Sequence, residues 1–119
     1  MIIELLSLLA LLFFKHFLAD FVMQDQDMVK DKGTYGAYGG LIHSLQHAVL
    51  TLWVLLWFNP VLAIMLALVD GIMHYHIDWA KMNLAQGLTA SDKKYWIYIG
   101  ADQLLHYLTY LGIAYVAVS

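Results

Sequence analysis

The segment PVLAIMLALVDGIMHYHIDWAKM, residues 60–82, decides how this chain folds. With about 1.5 Å of rise per residue, a helix of this length can cross about 30 Å of hydrocarbon. Within it, Asp70, His74 and Asp78 follow one another at intervals of four. Residues four apart lie on one face of a helix, one turn above another. The segment therefore predicts an apolar helix with one stripe of ionisable side chains.

The same interval recurs in three other apolar segments of similar length. Together they predict an all-α protein with a single transmembrane domain over residues 1–119, a four-helix bundle of up-down-up-down topology. Asn59-Pro60 predicts a helix cap followed by proline at the first helical position, and hence a tight turn. The polar, glycine-rich stretch 24–40 predicts a long irregular loop that serves as a lid. The predicted helices span about residues 2–23, 41–58, 60–82 and 92–118.

Composition supports a membrane protein and excludes several other classes. Hydrophobic residues make up 62% of the chain and charged residues 13%, far from the average soluble domain. Mean hydropathy is +0.68. The absence of cysteine excludes disulfides and thiolate metal sites, and a net charge of −3 without arginine argues against a nucleic-acid partner. The first apolar segment lacks a basic start, so we expect a retained helix and not a signal peptide.

The lysines predict the orientation of the bundle. They lie in the first and third loops, at Lys30, Lys32, Lys93 and Lys94, and at Lys81. By the positive-inside rule these loops are cytoplasmic and both termini face outward. The ionisable pairs of all four helices then fall within roughly 5–20 Å of the inner surface. This convergence in depth predicts one shared site.

The residue types at this site are metal ligands. Imidazole and carboxylate bind zinc, manganese and iron, and charges in hydrocarbon are rare without a function. A single pair could be a helix–helix hydrogen bond worth about 1 kcal/mol, but four matched pairs favour a shared centre. Nine ligands exceed the needs of one ion, so we expect two or three divalent ions, with zinc ahead of manganese or iron. The predicted ligands are His16, Asp20, His43, His47, Asp70, His74, Asp78, Asp102 and His106.

Four other predictions concern individual polar residues. Asp70 is the deepest of the nine and is expected to orient a ligand. Lys15 is expected to extend toward the headgroups or to pair with an anionic substrate, and Gln24 continues the face of His16 toward a ligand or substrate. His76 lies about 200° around the helix from His74, off the site.

Five strings along the chain carry a family resemblance. They are HFLADFVMQ at 16–24, Lys30 with Lys32, His43 with His47, HYHID at 74–78 and DQLLH at 102–106. Together they resemble the DUF3307 family of small bacterial and phage membrane proteins. More distantly they are similar to the YdjM-type membrane-bound metal-dependent hydrolases and to the zinc phospholipase C and P1 nuclease group.

The resemblance implies hydrolysis at a bacterial inner membrane. We expect a multi-pass metal-dependent hydrolase of a lipid or lipid-linked phosphoester at the cytoplasmic leaflet, with Asp20 or Asp102 accepting the proton of the attacking water. Its partners would be membrane lipid and a second copy or a host membrane protein. The alternatives are a metal-ion carrier or channel and a non-catalytic bacterial or phage membrane effector. A bis-histidine haem is disfavoured by the aspartate beside almost every histidine.

Overall fold

A computed structural model describes residues 1–119 as five helices without strands, which confirms the all-α prediction. A π-helical turn over Leu18–Val22 continues the first helix. Three of the other helices begin and end within three residues of the predicted bounds. The helices are α1 (Ile2–Phe17), α2 (Gln26–Asp31), α3 (Tyr38–Leu56), α4 (Ala63–Leu84) and α5 (Lys93–Val118).

The four long helices form a closed ring in which α1 packs on α3, α3 on α4, α4 on α5 and α5 on α1. Their directions alternate. The buried apolar cluster joins Leu8 and Leu12 early in α1 with Leu55 late in α3, Leu66 early in α4 and Ile113 late in α5. The four helices therefore run up, down, up and down, with the apolar cluster at one end of the ring.

The opposite half of the interior is polar. Of the 27 buried residues, 13 are polar or charged. Soluble proteins, by contrast, bury mainly apolar residues and keep most charged ones at the surface. Large apolar side chains cover the outside; Phe17, Trp53, Leu68 and Leu108 are each more than half exposed. Two helical segments, Ile2–Val22 and Tyr38–Leu56, are long and apolar enough to cross a membrane.

The first loop differs from its prediction because part of it is helical. Asp25 caps α2 by accepting a hydrogen bond from the backbone nitrogen of Met28 at 2.8 Å. The backbone nitrogen of Gly39 donates to Asp31 at 2.8 Å, which ties α2 against the start of α3. The loop is thus a packed helical hairpin. A helix of six residues with only two apolar ones has no apolar periodicity to reveal it in the sequence.

The turn before α4 also differs in detail. Asn59 does not cap a helix that starts at Pro60; its side-chain oxygen accepts a hydrogen bond from the backbone nitrogen of Leu62 at 3.2 Å, and α4 begins at Ala63. The side-chain nitrogen of Asn59 donates to the carbonyl of Ala117 at 2.9 Å. This bond joins the α3–α4 turn to the end of α5.

Replacing Gly39 with alanine should destabilise the hairpin. The added Cβ would lie 2.7 Å from a carboxylate oxygen of Asp31 and 2.9 Å from the carbonyl of Asp27. Overpacking of this kind costs about 1–3 kcal/mol. Gly112→Ala is the matched control, because its Cβ would meet nothing within 4 Å. Alanine is a better helix former than glycine, so this variant should raise the free energy of unfolding by about 0.5–1 kcal/mol. Thermal unfolding in detergent micelles measures both; a Gly39→Ala protein as stable as the parent would refute the close approach.

Candidate metal centre

The carboxylate of Asp20 lies within 3.4 Å of the side chains of four histidines. Its Oδ1 atom lies 3.0 Å from Nε2 of His43, 2.8 Å from Nε2 of His47 and 3.4 Å from Nε2 of His74. Its Oδ2 atom lies 3.1 Å from Nε2 of His16. Asp20 sits in the π-helical turn at the end of α1, a local structure that recurs at functional sites. One carboxylate therefore joins side chains from α1, α3 and α4.

Asp78 forms a second focus beside the first. Its Oδ2 atom lies 3.1 Å from Nε2 of His74 and 3.5 Å from Nε2 of His43, and its Oδ1 atom lies 3.0 Å from Nε2 of His106. That same Nε2 of His106 lies 3.4 Å from Asp102. All five side chains are buried. The structure thus brings together eight of the nine predicted ligands.

Three of these side chains, those of His43, His74 and Asp78, are spaced like the ligands of a single ion, because their ligand atoms lie within 4.8 Å of one another. Around a tetrahedral ion with bonds of about 2.0–2.1 Å, neighbouring ligand atoms are about 3.3–3.4 Å apart. Nε2 of His43 and Nε2 of His74 are 3.1 Å apart. The distances from these two nitrogens to the facing oxygens of Asp20 and Asp78 run from 3.0 to 3.5 Å. The arrangement therefore fits an ion of zinc's size.

A second group can form an adjoining position. Ligand atoms of Asp78, Asp102 and His106 lie within 4.8 Å of one another. The two groups share Asp78, and a carboxylate can bridge two ions through its two oxygens. Each imidazole nitrogen, by contrast, has a single lone pair to offer one ion. In a third group the ligand atoms of His16, Asp20, His47 and His74 also lie within 4.8 Å of one another, but Nε2 of His74 would then have to serve two ions. The geometry therefore favours two ions over three.

His47 differs from the other histidines because of Lys15. The Lys15 ammonium lies 3.0 Å from Nδ1 of His47, and an ammonium group only donates hydrogen bonds. Nδ1 of His47 is therefore the acceptor, and the proton of the neutral ring is on Nε2, which donates to Asp20 at 2.8 Å. His47 has no Nε2 lone pair to offer a metal ion. It orients Asp20 instead.

His16 is held in a similar way by Gln103. The side-chain nitrogen of Gln103 donates to Asp102 at 3.0 Å, which turns its oxygen toward Nε2 of His16 at 2.9 Å. Nε2 of His16 therefore carries a proton, and Nδ1 lies 2.8 Å from the hydroxyl of Tyr110. His16 thus also orients Asp20. The Nε2 atoms of the remaining histidines face carboxylates and one another, which leaves a central set of His43, His74, His106, Asp20, Asp78 and Asp102.

Three lysines contact the carboxylates of this region. Lys15 lies 2.6 Å from Asp70, Lys32 lies 3.1 Å from Asp78, and Lys81 lies 3.6 Å from Asp102. The expectation that Lys15 extends to the headgroups is wrong, since its side chain is only 3% exposed. The four carboxylates of this region, Asp20, Asp70, Asp78 and Asp102, therefore outnumber its three ammonium groups by one.

The remaining predicted residues lie around the cluster. Asp70 accepts hydrogen bonds from Lys15 and from Thr51 at 2.5 Å, one turn away from the histidines. Gln24 donates to the backbone of Asp20 at 2.8 Å and accepts from Lys32. His76 is exposed and bonds to Tyr35 at 2.8 Å, off the site as predicted.

Sequence reasoning missed Lys32, Tyr110, Thr51 and Gln103 as members of the site. Tyr110 follows His106 by four residues and Thr51 follows His47 by four, so the same interval would have found both. Lys32 gave no such signal, because it lies in a loop and reaches Asp78 only through the tertiary fold.

A family model described as "Protein of unknown function (DUF3307)" matches residues 8–119, a range that contains every residue of the cluster. The chain matches no curated protein and no solved structure.

Proposed function

Because the chain belongs to the DUF3307 family, whose description names no activity, we propose a function from the site itself: a membrane-embedded, metal-dependent hydrolase of a lipid or lipid-linked phosphoester. One observation carries the proposal. Five imidazole Nε2 atoms from four helices converge on two buried carboxylates, Asp20 and Asp78. Histidine–carboxylate centres inside helical bundles are typical of proteins that bind two metal ions.

The distribution of polar and apolar residues supports a place in the membrane. Away from the helix ends, the ionisable side chains of the long helices point into the ring, with the exception of His76, and apolar side chains cover the outside. This is the arrangement expected where lipid, not water, surrounds a bundle. Lys30, Lys93 and Lys94 lie at the end of the bundle that holds the cluster, so the positive-inside rule assigns that end to the cytoplasm of a bacterial cell.

A metal explains the central set better than hydrogen bonds alone. Nε2 of His43 and Nε2 of His74 lie 3.1 Å apart and face the same two carboxylates. Two N–H groups at this distance would repel one another, so at most one of the two nitrogens carries a proton and the other keeps a lone pair that an ion can use. A bound ion replaces that proton with a positive charge that both lone pairs and both carboxylates favour.

The residues suggest how hydrolysis would proceed. Divalent ions held by the central set would supply Lewis acidity and a water that is acidic near neutral pH. Asp102 is suited to accept the proton of that water, because its buried Oδ1 atom accepts no hydrogen bond and has only Nε2 of His106 beside it, at 3.4 Å. Asp20 is less suited, because histidines engage both of its oxygens. Lys81, 3.6 Å from Asp102, is placed to hold a phosphoryl oxygen.

The apolar half of the interior counts against metal transport. Leu8, Leu12, Leu55 and Ile113 fill the ring beyond the cluster and are almost completely buried. A through-path for an ion would have to cross this layer, where it would lose its ligands.

The test is turnover by purified protein loaded with zinc, manganese or iron and presented with a panel of phospholipids in mixed micelles. We expect the parent protein to release the lipid headgroup, with or without its phosphate. We expect no such release from Asp102→Asn. No turnover with any metal on any headgroup would count against the proposal. Metal flux into proteoliposomes without hydrolysis would select the carrier.

The histidines should separate into two classes in a metal titration. His43→Ala and His74→Ala remove central ligands and should each eliminate at least one ion. His16→Ala and His47→Ala remove groups that orient Asp20 and should weaken affinity by ~10–100-fold without changing the number of ions at saturation. His76→Ala is the control and should match the parent. Equal losses in His43→Ala and His47→Ala would refute the tautomer assignment.

A further inference from the structure

Three of the grooves between neighbouring helices are large enough and close enough to the polar half of the bundle to compare. The groove between α3 and α4 has a volume of about 380 Å³ and touches no member of the central set. The groove between α1 and α5, also about 380 Å³, ends on His16, whose two ring nitrogens are both engaged. The groove between α4 and α5, about 270 Å³, ends on Asp102 and Lys81.

The α4–α5 groove combines apolar walls with an ionic floor. Its walls include Met73 and Ile77 from α4 and Ala101 and Leu105 from α5. On its floor Asp102 is buried, with one carboxylate oxygen lacking any hydrogen-bond partner. Lys81 lies beside it with a side chain that is 16% exposed. Of these two charged groups only the Lys81 ammonium is partly exposed, since the Asp102 side chain is 2% exposed. The occupant that matches the groove therefore offers an apolar chain for its walls and an anionic group for Lys81.

The direction of the groove matches that of a lipid chain. It begins near Leu84 and Tyr98, at the loop end of the bundle. It runs to Met73, about 16 Å deeper along α4, and to Leu105, about 10 Å deeper along α5. At the proposed cytoplasmic end, a headgroup would lie beside Lys81 while its chain followed the walls toward the middle of the membrane. Charge complementarity requires the headgroup to be anionic.

Resting on the proposed function, we propose that the α4–α5 groove admits one acyl chain of an anionic phospholipid and that Lys81 receives its phosphate. The substrate thus enters sideways from the cytoplasmic leaflet and presents its phosphoester to Asp102 and the central set. Ala101 and Ala80 line the groove with small side chains, so that a larger side chain at either position would narrow the space for the chain.

Photo-crosslinking tests this without hydrolysis. Chelated, metal-free protein is placed in phosphatidylglycerol vesicles that contain phosphatidylglycerol with a diazirine on its acyl chain, and labelled residues are mapped by mass spectrometry. We expect enrichment on the α4–α5 walls over the α3–α4 groove, and loss of that enrichment in Ala101→Phe and Ala80→Phe. Leu45→Phe, in the α3–α4 groove, is the matched control and should leave the labelling unchanged. Unfolding temperature shows whether each variant is folded.

Two further measurements test whether the groove recognises the lipid phosphate and whether it requires the acyl chain. In Lys81→Gln, the preference for phosphatidylglycerol over a diacylglycerol probe with the same chain should fall several-fold. Excess soluble glycerol phosphate should not displace the lipid probe. Equal labelling of every groove, unchanged labelling in both filled variants, or full displacement by glycerol phosphate would overturn the proposal. Because the readout needs no metal, enrichment without turnover would contradict the hydrolase and leave the lipid site standing.

Discussion

In the proposed two-ion centre, Asp78→Asn is expected to abolish the binding of both ions at once. The two oxygens of Asp78 serve different parts of the centre: Oδ2 faces His43 and His74, and Oδ1 faces His106. An amide offers one neutral oxygen in place of two charged ones, so neither position keeps its shared ligand. The number of ions per chain, measured by elemental analysis, should fall from two to near zero. Hydrolysis should fall with it.

The control for this loss is Asp102→Asn, which affects the position beside His106 and should retain one ion. Asp78 also pairs with Lys32 at 3.1 Å, so the single variant leaves a buried ammonium without its partner. Asp78→Asn combined with Lys32→Met removes that charge and separates metal loss from unfolding. A folded double variant that still holds two ions would show that Asp78 does not bridge them.

Lys15→Met is expected to destabilise the protein by about 3–5 kcal/mol, the usual cost of breaking a buried ion pair from one side. The Lys15 ammonium and the Asp70 carboxylate are 2.6 Å apart, and both side chains are at most 3% exposed. The ammonium also lies 4.5 Å from the centre of the Tyr110 ring. Its removal leaves Asp70 charged in the interior with only the hydroxyl of Thr51 as a donor.

Removing both charges should reverse most of this effect. Lys15→Met with Asp70→Leu leaves no buried charge and should recover stability, because apolar replacement of a buried pair is often neutral or favourable. Thermal unfolding in the same micelles, after chelation, measures the pair independently of metal. A loss below about 1 kcal/mol in Lys15→Met would mean that the pair is solvated in the folded protein.

The four long helices could be predicted because their sequences carry two strong signals. Apolar length predicted the helices, and the interval of four predicted the inward stripes at residues such as His74 and Asp78. The π-helical turn at Asp20 could not be predicted, because a π-helical turn has no characteristic composition or residue spacing that distinguishes it from an α-helix. Helix α2 was missed because its six residues include only two apolar ones, Met28 and Val29, which are too few to show a helical periodicity.

The ligand set was predictable as a group but not in its internal roles. Depth and spacing placed the histidines together, and the structure brings them together. Which nitrogen of His47 carries the proton depends on Lys15, 32 positions away on another helix. The partner of Lys32 likewise arises only from packing of the first loop on the bundle. Contacts between distant segments have no counterpart in the spacing of residues along one helix.

The most direct test of the metal centre is elemental analysis of protein purified from membranes through a histidine-free affinity tag, without added metal or chelator. A polyhistidine tag would bring metal of its own and must be avoided. The geometry predicts two divalent ions per chain, lost in Asp78→Asn and retained in His76→Ala. A parent protein without stoichiometric metal, even after incubation with zinc, manganese or iron, would contradict the account.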